Sequence, residues 1–253
     1  MKNFSTFVVC IGILAMLTGC GGVDVNQELS EALRLAELGD TDSWAAAAAK
    51  VEVCIEAGRT EPDILAFHVM CLQRSGDVEG AKAGARDVLQ IAPDNFTANF
   101  LMGKMLSEEG NYLEALDYLR TAHELKPGDI DALVLVARCA GKQNVPEAEK
   151  YYQALMTHEE FASSHLPYNE LAIWYVQQAR YPEAMSYFSQ ALQKQGANPQ
   201  IYLNMAVTQD KYFKKPLVAR HLYNRFLAEA GDEYPAKQRQ VQNRLRTLFV
   251  TNR

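Results

Sequence analysis

Two prolines set the length of the building block. Pro93 and Pro127 stand 34 residues apart, and the stretch FTANFLMGKMLSEEGNYLEALDYLRTAHELKP, Phe96 to Pro127, reads as two short amphipathic helices joined at Glu109-Gly110-Asn111. A helical hairpin of this size cannot bury its apolar face alone and must stack on neighbours of the same kind. Small residues at Gly103, Ala115 and Ala122 are predicted where the two helices cross, because a larger side chain would hold them apart. The same frame extends in both directions as six units: 28–61, 62–95, 96–129, 130–164, 165–198 and 199–231. In the first, Leu29, Leu33 and Ala36 stripe one helix and Trp44, Ala47, Val51 and Cys54 the next, with Asp42 or Ser43 as its cap. The fourth is irregular, with a long connection around Thr157-His158-Glu159-Glu160 and Ser163-Ser164. Residues 235–250 supply one more helix, with Val241, Leu245 and Leu248 on a single stripe, so 232–253 reads as a basic C-terminal cap. No strand-like alternation occurs.

Met102-Gly103, Leu106, Tyr112, Ala115, Leu119, Ala122 and Pro127 resemble the tetratricopeptide (TPR) repeat position by position. The resemblance covers 28–231 and implies an all-α, right-handed TPR superhelix (an α-solenoid) of about six units. It also implies an adaptor that binds proteins rather than an enzyme.

The chain begins with a different kind of signal. Lys2 is followed by an apolar run from Phe7 to Leu17 and then by Leu17-Thr18-Gly19-Cys20. A basic start, a short apolar core and small residues at the end describe a secretory signal that is too short for a usual transmembrane helix. Leu17 to Cys20 resembles a bacterial lipobox, which implies removal of 1–19 and acylation of Cys20, with 20–27 as a lipid-anchored tether. By resemblance to proteobacterial lipoproteins, Gly21 after the acylated Cys fits outer-membrane sorting and a protein facing the periplasm.

Charge is unevenly spread. From Cys20 to Phe213 there are 15 Lys/Arg against 28 Asp/Glu, a balance of −13; from Lys214 to Arg253 there are 9 against 3, a balance of +6. An acidic body with a basic tail suits either contact with something anionic or a solvated capping helix. Nucleic acid is not an expected partner, since the tail lacks interleaved aromatics. Cys54, Cys71 and Cys139 remain besides Cys20; buried thiols and a Cys54–Cys71 bridge both fit. The five histidines match neither HExxH nor a Cys–His zinc spacing, and no Walker loop, dinucleotide-binding turn or GxSxG is present. No cofactor, metal or catalysis is expected. The alternative is an envelope enzyme with a site near His158 and His165.

In TPR folds the first helix of each unit lines the concave surface. Carried over by position, the groove residues are Met70, Gln73, Phe100, Lys104, Val134, Arg138, Asn169, Ile173, Leu203 and Val207, and the sixth unit adds Asp210 and Lys211. An apolar strip with a basic pair, Lys104 and Arg138, suits a peptide or amphipathic helix of another envelope protein. The combined layout also resembles pilotin-like lipoproteins of type IV pilus assembly, which help a secretin ring reach or assemble in the outer membrane. Two competing expectations are a generic envelope scaffold and self-assembly of the solenoid end to end. Cys20→Ser is expected to move the protein from the membrane pellet to the soluble fraction on cell fractionation, and retention in the pellet would refute the anchor.

Overall fold

The computed structural model describes residues 24–194 and 198–250, the last two as backbone only. The signal 1–19, the acylation site Cys20 and residues 20–23 of the tether lie outside the described residues. Among those described there are thirteen α-helices and no strand. They divide into two compact units, Met1–Val136 and Ala137–Arg253.

The first unit holds α1 (Val25–Leu38), α2 (Thr41–Glu56), α3 (Pro62–Ser75), α4 (Val78–Ile91), α5 (Phe96–Glu108), α6 (Tyr112–Leu125) and the first half of α7 (Ile130–Lys142). Each consecutive pair α1–α2, α3–α4 and α5–α6 forms a hairpin, and hairpins stack through α2 on α3 and α3 and α4 on α5. Short polar side chains start α1, α2, α4 and α5 by accepting from orphan amide N–H groups. Asp24 accepts from Asn26 and Gln27 at 3.1 and 3.2 Å, so α1 begins inside the segment 20–27 expected to be a tether. Asp40, rather than Asp42 or Ser43, caps α2 by accepting from the Ser43 amide at 2.9 Å.

Trp44, Ala47, Val51 and Cys54 are buried against Leu29, Ala32 and Ala36, with Phe67 and Cys71 of α3 closing the cluster. Cys54 and Cys71 form no disulfide. The Cys54 thiol instead points at the Lys50 carbonyl (3.3 Å), and burial pushes the Cys71 thiol up to about 12. The crossing of α5 and α6 has no spare room. A Cβ on Gly103 would lie 2.5 Å from Leu119 Cγ and 3.1 Å from the Ala115 carbonyl oxygen. Between hairpins, nearly buried Lys82 joins Glu79 (2.6 Å) to Glu109 (2.7 Å), tying α4 to the turn after α5.

The second unit holds the rest of α7, α8 (Ala148–Thr157), a 3-10 turn (Glu159–Phe161), α9 (Leu166–Gln177), α10 (Tyr181–Leu192), α11 (Gln200–Lys211), α12 (Pro216–Glu229) and α13 (Pro235–Val250). Hairpins α9–α10 and α11–α12 stack through α10 on α11 and α9 on α11, and α13 packs on α12. Its stripe of Val241, Leu245 and Leu248 joins Ala206, Ala219, Tyr223 and Phe226 in one cluster.

One turn position differs between the units. Gly76 and Gly110 end α3 and α5 in the left-handed region, at φ 94 and 85. The corresponding places in later turns are taken by Asn144, Ala179 and Lys214 at φ 55, 58 and 55. A residue with a Cβ there costs about 1 kcal/mol or more. Ala179→Gly is therefore expected to stabilise by roughly 0.5–1 kcal/mol, whereas Gly103→Val should destabilise by about 1–3 kcal/mol through overpacking. Urea unfolding of the two variants checks both signs.

Candidate functional site

The second unit contains a cleft of about 620 Å³ between α9, α11 and α13. It follows from how α11 divides its side chains. Ile201, Met205 and Ala206 go into the hairpin core, while Leu203 and Val207, four residues apart, remain half-buried on the other face. Ile173 and Val176 of α9 and Val241 of α13 complete an apolar wall. The rim carries Gln200, Lys211, Lys237 and Gln240. An apolar cavity with a few placed polar groups is the usual form of a binding site.

Its electrostatics are set by one carboxylate. Asp210, 7% exposed, is the only acidic residue among the described ones lining the cleft. Arg244 of α13 donates to it from both Nε and Nη2 at 2.7 Å, and the Tyr223 hydroxyl donates at 3.2 Å. The Arg244 hydrogen bonds hold the Asp210 carboxyl below the usual carboxylate range. Burial pushes the Tyr223 hydroxyl up. With Asp210 neutralised by this fork-on-carboxylate contact, Lys211 and Lys237 leave the rim positive. The cleft suits a ligand with an apolar side and an acidic group.

The expected groove residues fall in both units. Ile173, Leu203 and Val207 line the cleft together. Asn169 is only 8% exposed, and its side-chain Oδ1 accepts from Asn204 Nδ2 at 3.1 Å, joining α9 to α11. Asp210 is likewise a buried anchor. Arg138 lies exposed on the part of α7 that belongs to the second unit.

Met70, Gln73, Phe100, Lys104 and Val134 belong to the first unit, all half-buried. Met70 packs on the α1–α3 cluster, and Phe100 stacks on Phe96 (5.7 Å, 12°). Lys104 lies 3.9 Å from Glu108, and Gln73 Oε1 is buried with no hydrogen-bond partner.

The His158–His165 region forms no ligand set. His158 Nδ1 accepts from the Glu160 amide at 3.3 Å, and His165 begins α9 without a side-chain cap bond. Among the described residues no group of three or more His, Cys, Asp or Glu side chains is placed to hold a metal. The α13 wall, with Lys237, Gln240, Val241 and Arg244, was not legible from the repeat frame, which treats that helix only as a cap. The one sequence signal is Arg244 standing 34 residues after an acidic residue on an otherwise apolar strip.

No protein-family model matches this chain. Solved structures do resemble it. YrrB, described as a TPR protein with an unusual peptide-binding site, is 18% identical with a TM-score of 0.62, over 73% of this chain and 94% of that one. MamA from Desulfovibrio magneticus RS-1 (41 to the end) is 18% identical with a TM-score of 0.56, over 68% and 95%. A second MamA, from AMB-1, is 18% identical with a TM-score of 0.59, over 71% and 96%. The fold is therefore the all-α TPR type, assembled from stacked helical hairpins.

A group whose folded pKa is lowered stabilises above its unfolded value, about 3.9 for Asp, and loses that contribution as pH falls through the folded value. Asp210→Asn is expected to destabilise by about 2 kcal/mol at neutral pH, allowing for the half-exposed Arg244. The gap to wild type should close as the pH is lowered below the ordinary Asp range. Urea unfolding at neutral and acidic pH checks it, and a gap that persists in acid would remove the ionic origin.

Proposed function

We propose that the protein is a non-catalytic, lipid-anchored interaction scaffold of the bacterial envelope. In this reading it holds an apolar segment of a partner, as a peptide or amphipathic helix, while an envelope machine assembles. The observation that carries the proposal is the cleft lined by Ile173, Leu203, Val207 and Val241 with Lys211 and Lys237 at its rim. An apolar strip contributed by α9, α11 and α13 suits the apolar face of a bound helix, and two rim lysines favour an acidic flank on the partner. The likeness to YrrB, itself described as having a peptide-binding site, supports the same use of this fold. The lipobox-like Leu17-Thr18-Gly19-Cys20 supports an envelope setting, with the anchor at the outer membrane and the helices in the periplasm. An alternative within that setting is a pilotin-like factor, which the layout resembles, so a secretin subunit is one partner to test.

The test is a crosslinking pull-down from native membranes with wild type, a Leu203→Glu/Val207→Glu variant in the second unit and a Phe100→Glu/Lys104→Glu variant in the first. The expected result is recovery of an envelope-machine subunit by wild type and a loss of tenfold or more with the second-unit variant, since an unpaired carboxylate in an apolar cleft is costly. Loss with the first-unit variant alone would move recognition to Phe100 and Lys104. Equal recovery by all three would overturn the groove reading.

A further inference from the structure

The turn between α11 and α12, like the two earlier turns at Asn144 and Ala179, has no glycine at its left-handed position. Lys214 adopts the left-handed conformation at φ 55, where Gly76 and Gly110 stand in the first unit. Strain at a defined position points towards a use for the residue that bears it. The base of the turn is an aromatic cluster. Tyr181 stacks on Tyr212 at 4.5 Å and meets Phe213 edge-on at 6.0 Å.

On that base the surface is both basic and apolar. Lys211, Lys214 and Lys215 are exposed, and none is in an ion pair among the described residues. Leu217 is 62% exposed, Val218 44% and Tyr212 44%. Of the four large hydrophobic residues exposed in the second unit's described part, these three fall within seven positions, with Leu166 the other. From Lys211 to Ala228 there are five Lys/Arg and no Asp/Glu, in a chain whose net charge is −6.

We propose that this end of the second unit, Lys211 to Val218, docks on an anionic phospholipid bilayer. Leu217, Val218 and Tyr212 enter the boundary between headgroups and acyl chains, and the lysines meet the phosphate layer. Tyrosine, with one apolar and one polar end, suits that depth. Lysines on flexible stems, whose one neighbouring carboxylate, Asp210, is already held by Arg244, fit a smeared negative surface better than a stereospecific acidic partner, which would call for the planar fork of arginine. This contact shares Lys211 and Tyr212 with the edge of the cleft, but Lys214, Lys215, Leu217 and Val218 lie outside the cleft lining, and the proposal does not rest on ligand binding there.

The test uses residues 24–253, which retain every described helix and lack the N-terminal segment, so that no acyl chain contributes. The chain is sedimented with vesicles of phosphatidylcholine alone and of phosphatidylcholine with phosphatidylglycerol, three to one. Wild type is expected to bind the mixed vesicles at least roughly tenfold more tightly than the neutral ones, and less tightly as salt rises. Lys214→Gln/Lys215→Gln should weaken binding roughly 30-fold, each lysine near an anionic surface counting for about fivefold. Leu217→Ser/Val218→Ser should also weaken it, with an unchanged melting temperature showing that the fold is intact. Lys214→Gly separates a working lysine from a merely tolerated one. It is expected to melt about 2–4 °C higher because the strain is relieved, yet bind about fivefold more weakly. Equal binding to both vesicle types, no binding to either, wild-type binding by Lys214→Gly, or self-association through Leu217 in place of vesicle binding would each overturn the proposal.

Discussion

The distance between two helix axes in a hairpin is the constraint on which the other features depend. At Gly103 the α5 backbone lies so close to Leu119 and to the Ala115 carbonyl that even a methyl group would collide. Ala115, Ala122, Ala184, Ala191 and Ala219, all fully buried, hold the same kind of place on second helices. Close crossing lets each second helix fill the hairpin core with side chains such as Leu119, Phe188 and Phe226. The first helices then keep one face over. Phe100, Ile173, Leu203 and Val207 lie half-buried on first helices, Leu203 and Val207 packed against the cluster that α13 joins. Surface available for recognition is thus a by-product of tight packing.

The second unit converts that face into a cavity by adding a wall. Helix α13 is secured from both sides of its chemistry, apolar through Val241, Leu245 and Leu248 and ionic through Arg244 on Asp210. A buried carboxylate without a partner would oppose folding, and an arginine fork satisfies both of its oxygens. The same contact cancels the one negative charge in the cleft. Structural support and ligand preference therefore share a single pair of side chains. Exposed pairs such as Arg34–Glu31, by contrast, lie on the surface, where solvent screening leaves them little weight.

Two kinds of contact surface arise on neighbouring parts of α11 and α12. The cleft is concave and lined mostly by apolar side chains, so it suits a partner with defined side chains. The α11–α12 turn is exposed, basic and free of carboxylates, so it suits a surface with charge but no fixed geometry. Lys211 belongs to both, standing at the rim of one and the start of the other.

Much of this was legible in the sequence, because its causes are local. The 34-residue spacing, the glycine and alanine crossing positions and the α13 stripe follow from helix periodicity and side-chain volume alone, and they determine an all-α stack of hairpins. The identity of Ile173, Leu203 and Val207 as a strip follows from the same periodicity. What sequence could not supply is which strip residues meet. Asn169 reads as a groove position by number, yet it is spent joining α9 to α11, because Asn204 stands opposite it at 3.1 Å. Cys54 and Cys71 could have paired by spacing, but each thiol is directed into its own packing environment. The pairing of Asp210 with Arg244, the closing of the cleft by α13 and the exposure of Leu217 and Val218 are decided by long-range packing. Pattern along the chain determines which face each residue occupies; only the tertiary structure decides what stands across from it.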